Sequence, residues 1–382
     1  MGTVLSIEGD RFLINGKLTY SEIEHCPEKY HGLLMNARFI QGIFNDSLEP
    51  ERFCRFGRHF DPEENTRELI KALPQWYAQG LRCFTAGFQG GGPCYTINSM
   101  TIDNNPFSAD GRRMDGAYLR RMKDVILAAD QLGMIVIVSL FYGPQSRFLK
   151  DDRAVMEGVK TAANWLRDEH FTNVILEVAN EHDIEAYKIH PILYNDSGIA
   201  ELIEIAKRES GGLPAGCSST GAYFSPEITR ASDVVLIHGN NMSRQIFYNQ
   251  ICQVKAEAGN KPVLCNEDSQ ALSNMQVALD NGVSWGYYNN MTKQEPPVVW
   301  GIKNDEDRFF AMRMAQSLGI SSCDLPVQSC FEIAGLDDDP FSVNYLFNWL
   351  QMPVEGIQTG ETVKAVIRLA GGQTIVKEKI AR

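Results

Sequence analysis

Between residues 38 and 290 the chain repeats one unit eight times: a short apolar run, a few polar residues and, in most repeats, an amphipathic helical stretch. The runs are RFIQGIFND (38–46), LRCFTAGFQGGG (81–92), MIVIVSLFYG (134–143), VILEVANEHD (174–183), LPAGCSSTG (213–221), DVVLIHGNN (233–241), KPVLCNEDS (261–269) and GVSWGYYNN (282–290). A helix between two strands carries the chain back to its starting edge, so consecutive strands pair in parallel. Eight such units in about 250 residues is the arithmetic of a (β/α)8 barrel. A doubly wound sheet would favour a glycine-rich phosphate loop after its first strand, and QGIFNDSLEPE is not one. The glycines at 87–92 run into Pro93 and Cys94 instead of a helix start, which makes a weak nucleotide site.

These runs place an α/β TIM barrel over residues 36–320. Ahead of it, residues 1–35 hold two short alternating segments around Asn15-Gly16, a strong hairpin signal. Behind it, residues 321–382 read as a small C-terminal β appendage, with two strands around Gly371-Gly372.

Composition narrows the function. A net charge of −12, with no run of Lys and Arg, argues against nucleic acid as a partner. No stretch approaches the roughly 20 apolar residues of a membrane span. The first residues lack the basic and apolar regions of a signal peptide, so a cytoplasmic protein is expected unless a leader has been removed. The nine cysteines are irregularly spaced and form no CxxC, so reduced thiols are expected rather than a zinc site or disulfide framework.

Catalytic residues of such a barrel sit at the C-terminal ends of its strands. Side chains alternate along a strand, so Ile175, Glu177, Ala179 and Glu181 share one face, with Glu181 at the mouth and Glu177 deeper. A carboxylate buried at 177 needs a partner. Glu267 closes the seventh run, 86 residues or three units after Glu181. Strands four and seven lie on opposite sides of the mouth, so the two carboxylates can face each other. Two opposed carboxyl groups are what glycoside hydrolysis requires.

ILEVANEH resembles the E-x-x-N-E-P signature of clan A glycoside hydrolases, above all the cellulase-type family 5. The resemblance implies a retaining enzyme without metal or cofactor that acts on an oligosaccharide, polysaccharide or glycoside, with a β linkage by analogy. It makes Glu181 the acid/base, Glu267 the nucleophile and Asn180 the donor to the sugar 2-hydroxyl. His238 matches the strand-six histidine, and Trp285 the strand-eight sugar-stacking platform. The chain departs from the family at His182, where proline is usual, and at Asn240, where many members carry tyrosine. The strand-two arginine is missing: Arg82 comes too early and Thr85 is nearest its place. His182, Tyr142 and Gln89 line the substrate by position alone, as do Phe44, Asn45, Asp46 and Gln145.

Two other readings fit the same residues. One is a carbohydrate-binding pseudoenzyme on the same barrel. The other is a metal-dependent barrel hydrolase with His182, Asp183, His238, Glu267 and Asp268 as ligands. In the hydrolase reading, like-charge repulsion from Glu267 should raise the pKa of Glu181 so that it can hold a proton.

Overall fold

The computed structural model describes residues 2–93, 95–268, 272–320, 332–336, 362–369 and 374–380. They form two compact units, Met1–Ser322 and Cys323–Arg382.

The first unit opens with a meander of β1 (Leu5–Glu8), β2 (Arg11–Ile14) and β3 (Lys17–Leu18), paired antiparallel in that order. The β2–β3 turn is Asn15-Gly16, as its sequence demands. Both residues have positive φ, +53° and +76°, the backbone of the two-residue turn that matches strand twist.

Eight parallel strands follow. They are β4 (Asn36–Arg38), β5 (Cys83–Gly87), β6 (Ile135–Tyr142), β7 (Val174–Asn180), β8 (Ala215–Gly216), β9 (Val235–His238), β10 (Val263–Glu267) and β11 (Gly286–Tyr287). Six pair in the order β11-β4-β5-β6-β7-β8, and β9 pairs with β10. The two groups join into a ring. Bridges Leu264–Ser284 and Asp268–Tyr287 tie β10 to β11. On the other side the Asp233 N–H donates to the Ala215 carbonyl at 2.9 Å, linking β8 to β9. The chain is a (β/α)8 barrel.

Helices α1 (Pro62–Ala78), α2 (Gly116–Leu132) and α3 (Asp152–Asp168) return the chain between β4 and β7. Each starts at an aspartate, Asp61, Asp115 and Asp151, whose carboxylate accepts from a first-turn N–H. Helices α4 (Pro191–Tyr194) and α5 (Asp196–Glu209) precede β8, α6 (Pro226–Ala231) precedes β9, α7 (Arg244–Ala258) precedes β10 and α8 (Ser273–Asp280) precedes β11. Helices α9 (Asn290–Lys293) and α10 (Asp305–Ser317) follow β11. None of the described helices is long and apolar enough to cross a membrane.

The meander belongs to the barrel's compact unit. Leu5 and Phe12 enter the cluster formed by Leu34, Cys83, Ile135, Ile175, Val234 and Leu264, which lie within two residues of the strand starts. Leu5 N–H also donates to the Thr172 carbonyl just before β7. The meander therefore closes the barrel floor, the face opposite the strand ends that carry the acids. Cys83 and Cys265 are buried free thiols.

The second unit contains β12 (Glu332–Leu336), β13 (Thr362–Leu369) and β14 (Thr374–Ile380). β13 and β14 pair antiparallel from Thr362–Ile380 to Arg368–Thr374, and β12 runs parallel to β13. The expected pair of strands flanks Gly371-Gly372, which lie outside the described residues.

Candidate active site

The register of the first barrel strand differs from the sequence reading. The run at 38–46 was expected to be the strand, yet β4 spans Asn36–Arg38 and the chain turns after it. Arg38 therefore ends its strand at the mouth instead of beginning it. This residue, missed in the sequence, organises the site. Its Nη2 donates to Asn180 Oδ1 at 2.8 Å, and its Nε lies 2.7 Å from Glu267 Oε2. The guanidinium lacking on strand two is supplied from strand one, while Arg82 lies over the Tyr20 and Tyr77 rings, away from the acids.

Glu181 and Glu267 come together as expected. With His238 they form a group in which one oxygen of each acid and a ring nitrogen all lie within 4.8 Å of one another. Glu181 follows the last residue of β7 with φ +51°, a left-handed backbone that costs a residue with a Cβ about 1–2 kcal/mol. Ser218, beyond β8, holds this turn: its Oγ accepts from Glu181 N–H at 3.1 Å and its carbonyl from His182 N–H at 3.2 Å.

Each acid has its own set of partners. Glu181 Oε1 is 3.0 Å from His238 Nδ1. Glu267 Oε1 accepts from Asn240 Nδ2 at 2.5 Å, and its Oε2 faces Arg38 and lies 3.7 Å from His238 Nδ1. Asn240, which departs from the usual tyrosine, thus donates to the nucleophile candidate. Deeper in the barrel, fully buried Glu177 accepts from Asn266 Nδ2 at 2.9 Å. Glu177 has the partner its burial demanded, and that partner is the residue before Glu267.

The electrostatics correct one expectation. Glu181 is pushed up by burial, but its hydrogen bond to His238 and the charges of His238 and Arg38 outweigh this and leave its carboxyl below the ordinary range. Burial pulls His238 down, but the nearby Glu267 and Glu181 leave it above the ordinary imidazole value. Glu267 goes up because it is buried, with Arg38 and His238 opposing. Both shifts favour placing the proton on His238 over the neighbouring Glu181. These directions alone would cast Glu267 as the acid. The geometry carries more weight: guanidinium and amide N–H groups donate to or face its two oxygens, and neither can accept a proton.

Three positional expectations also change. Trp285 is fully buried, and its Nε1–H donates to Asp268 Oδ2 at 2.8 Å. A ring enclosed in this way has no open face for a sugar, so it steadies the residue after Glu267. Gln89 is buried and committed to protein: it donates to Asn105 at 2.7 Å and accepts from Tyr142 N–H at 3.0 Å. His182 is buried with its ring edge-on to Tyr223 at 5.3 Å, and burial lowers its pKa. Tyr142 keeps a partly exposed position at the end of β6. Asp46 and Gln145 hold loops through Asp103 and Asn104 N–H groups.

The metal set proposed from sequence is not assembled. Asp183 is taken by Thr220, and Asp268 by Trp285. Glu181, His238 and Glu267 are close enough to share an ion. A cation there would meet the Arg38 guanidinium and the Asn240 donor on Glu267, so the donor set does not fit one.

No family model matches the chain, and no curated protein sequence matches it. Solved structures do. The β-mannanase of the blue mussel Mytilus edulis superposes with a TM-score of 0.53 at 12% identity, covering 86% of this chain and 99% of that one. A family 5 xyloglucan-specific endo-β-1,4-glucanase from a metagenomic library, solved with cellotriose, gives 0.50 at 12% identity over 74% and 96%. A family 5 glycoside hydrolase from Bacteroides vulgatus gives 0.51 at 12% identity over 78% of this chain and 63% of that longer one. At these identities the likeness is one of fold: the chain carries the (β/α)8 barrel of family 5 glycoside hydrolases.

Proposed function

We propose that the protein is a retaining glycoside hydrolase, a divergent relative of the clan A enzymes, acting on β-linked glycosides or glycans. The observation that carries this is the closeness of Glu181 and Glu267, one carboxylate oxygen of each lying within 4.8 Å of the other, which favours the shorter of two known carboxyl separations. Retaining enzymes place their carboxyl groups about 5–5.5 Å apart, whereas inverting ones leave about 6.5–9.5 Å for a water. The β linkage is supported by the β-mannanase and endo-β-1,4-glucanase among the fold neighbours.

In this reading Glu267 Oε attacks the anomeric carbon as the bond to the leaving oxygen breaks. Glu181 gives that oxygen a proton, which reaches it from His238 Nδ1 at 3.0 Å. The covalent ester removes the Glu267 charge. Glu181, now a base, takes a proton from water as the water displaces the ester and passes it back to His238, and the sugar leaves with its configuration retained. Arg38 and Asn240 hold Glu267 for attack, and Asn180, oriented by Arg38, borders the same space.

Mass spectrometry after incubation with activated 2-deoxy-2-fluoro glycosides of several sugars tests this. An adduct on Glu267 is the expected result. An adduct on Glu181 would reverse the roles. Absence of any adduct, with no cleavage of oligosaccharides either, would leave a binding protein on the same barrel.

A further inference from the structure

Between the apolar floor and the acids, the barrel interior is polar. Ile137 is the register partner of both Thr85 and Ile175, and Thr85 is the partner of Arg38. Ser139 and Glu177, partners of each other, lie two residues on from Ile137 and Ile175. Arg38, Thr85, Ser139 and Glu177 therefore share the inner face. All four are buried, as is Asn266, the residue before Glu267.

The acid of this belt is only half matched. Glu177 Oε1 accepts from Asn266 Nδ2 at 2.9 Å, whereas Oε2 has no hydrogen bond among the described residues. Arg38 Nη1 has none either, while its Nη2 donates to Asn180 Oδ1 at 2.8 Å and its Nε lies 2.7 Å from Glu267 Oε2. A buried charge without an opposite one is costly, and in a water-poor interior two opposite charges hold each other at a distance. Burial pulls Arg38 down, but Glu267 first and Glu177 next leave it above the ordinary guanidinium range. One buried cation thus answers to two carboxylates.

One of those carboxylates loses its charge in each catalytic cycle. Attack on the sugar turns Glu267 into a neutral ester, and Arg38, 2% exposed, then faces no charge at the mouth. Glu181 is hydrogen-bonded to His238 and turned to the incoming water. We infer that Glu177 is a positioning residue, the counter-charge that holds Arg38 in place whenever Glu267 is neutral. The inference rests on the hydrolase reading for the step that neutralises Glu267, and on the barrel interior alone for the pairing of Glu177 with Arg38.

A stability cycle on the full chain reads the pairing without turnover. Glu177→Gln keeps an acceptor for Asn266 and removes only the charge, and Glu267→Gln stands in for the uncharged ester. The first change should lower the urea midpoint about twice as far or more in Glu267→Gln as in the wild type, because Arg38 then has no other carboxylate beside it. In Arg38→Met it should raise the midpoint, since it removes a buried charge that has lost its cation. Equal losses in the wild type and Glu267→Gln, or a loss in Arg38→Met, would overturn the proposal. The ester itself gives a second readout. With 2-deoxy-2-fluoro glycosides, Glu177→Gln should slow labelling of Glu267 and speed hydrolysis of the adduct, each on the order of ten-fold, because it destabilises the ester relative to the free site. A packing defect would slow both steps, and that result, or no change in either, would remove Glu177 from the reaction. No labelling of the wild type beside the expected stability cycle would end the hydrolase reading and leave the Arg38–Glu177 pairing standing.

Discussion

The ends of β7 and β10 carry the same dipeptide, Asn180-Glu181 and Asn266-Glu267, yet the barrel gives the two acids different surroundings. Glu181 stands on a left-handed turn, its side chain 22% exposed and hydrogen-bonded to the His238 imidazole, whose pKa is raised. Glu267 is 8% exposed at the side chain and faces a guanidinium and an amide, groups that only donate. The Asn residues differ too, since Asn180 accepts from Arg38 while Asn266 donates to Glu177. What each carboxylate meets is thus decided by the side chains opposite it, and those come from other strands.

Removing each acid in turn is the strongest way to test that contrast. Glu267→Ala should lower kcat on the order of 10⁴–10⁶-fold for every leaving group, as loss of a nucleophile does. Glu181→Gln should cost about 10²–10⁴-fold on poor leaving groups and far less on dinitrophenyl glycosides, which need no acid. Steady-state kinetics with both substrate types checks this, and equal losses in Glu181→Gln across leaving groups would erase the distinction.

The Arg38–Glu267 pair should show the next largest effect. Arg38→Met leaves Glu267 buried without its counter-charge, and breaking such a pair typically costs about 3–5 kcal/mol. Urea unfolding should show that loss and its partial recovery in Arg38→Met/Glu267→Gln. A small loss in the single variant would mean that Glu267 is already neutral.

The smallest effect lies in the pH profile. His238 has a raised pKa, so the stability it contributes is complete below its unfolded value of about 6.5 and disappears as pH rises through the folded value. In the proposed mechanism the proton that passes through Glu181 should be lost over the same range, setting the alkaline limb of kcat/KM. His238→Asn should flatten the stability slope there and move the alkaline limb to lower pH, because the proton must then sit on a carboxyl. An unmoved limb would separate His238 from the proton's path.

Much of the fold was legible in the chain. Seven of the eight runs hold a strand and the first strand lies just ahead of its run, sharing only Arg38 with it, because alternation of apolar runs with helical stretches has few packed solutions. Asn15-Gly16 declared its turn for a local reason, and Glu181 and Glu267 stood out because each follows an Asn at the close of an apolar run. Arg38 escaped notice because it opens an apolar run in the sequence but closes a three-residue strand in the fold, and a shift of a few residues exchanges floor for mouth. Trp285 was misread for another reason: its strand position was right, but whether a ring meets solvent or an aspartate depends on packing that periodicity does not contain. The link from His238 to Glu181 crosses 57 residues and rests on side-chain geometry alone.

The meander beneath the barrel sets a timetable for synthesis. Phe12 completes its apolar cluster only when Leu264, 252 residues later, has left the ribosome. At about 5–20 residues per second that is a wait of roughly 13–50 s. Throughout it the first strands made hold apolar faces with no final partner, which makes this stretch of the nascent chain a natural client for chaperones. Completion of the barrel floor waits on β10, and the meander made long before it is among the last parts of the barrel unit to find its place.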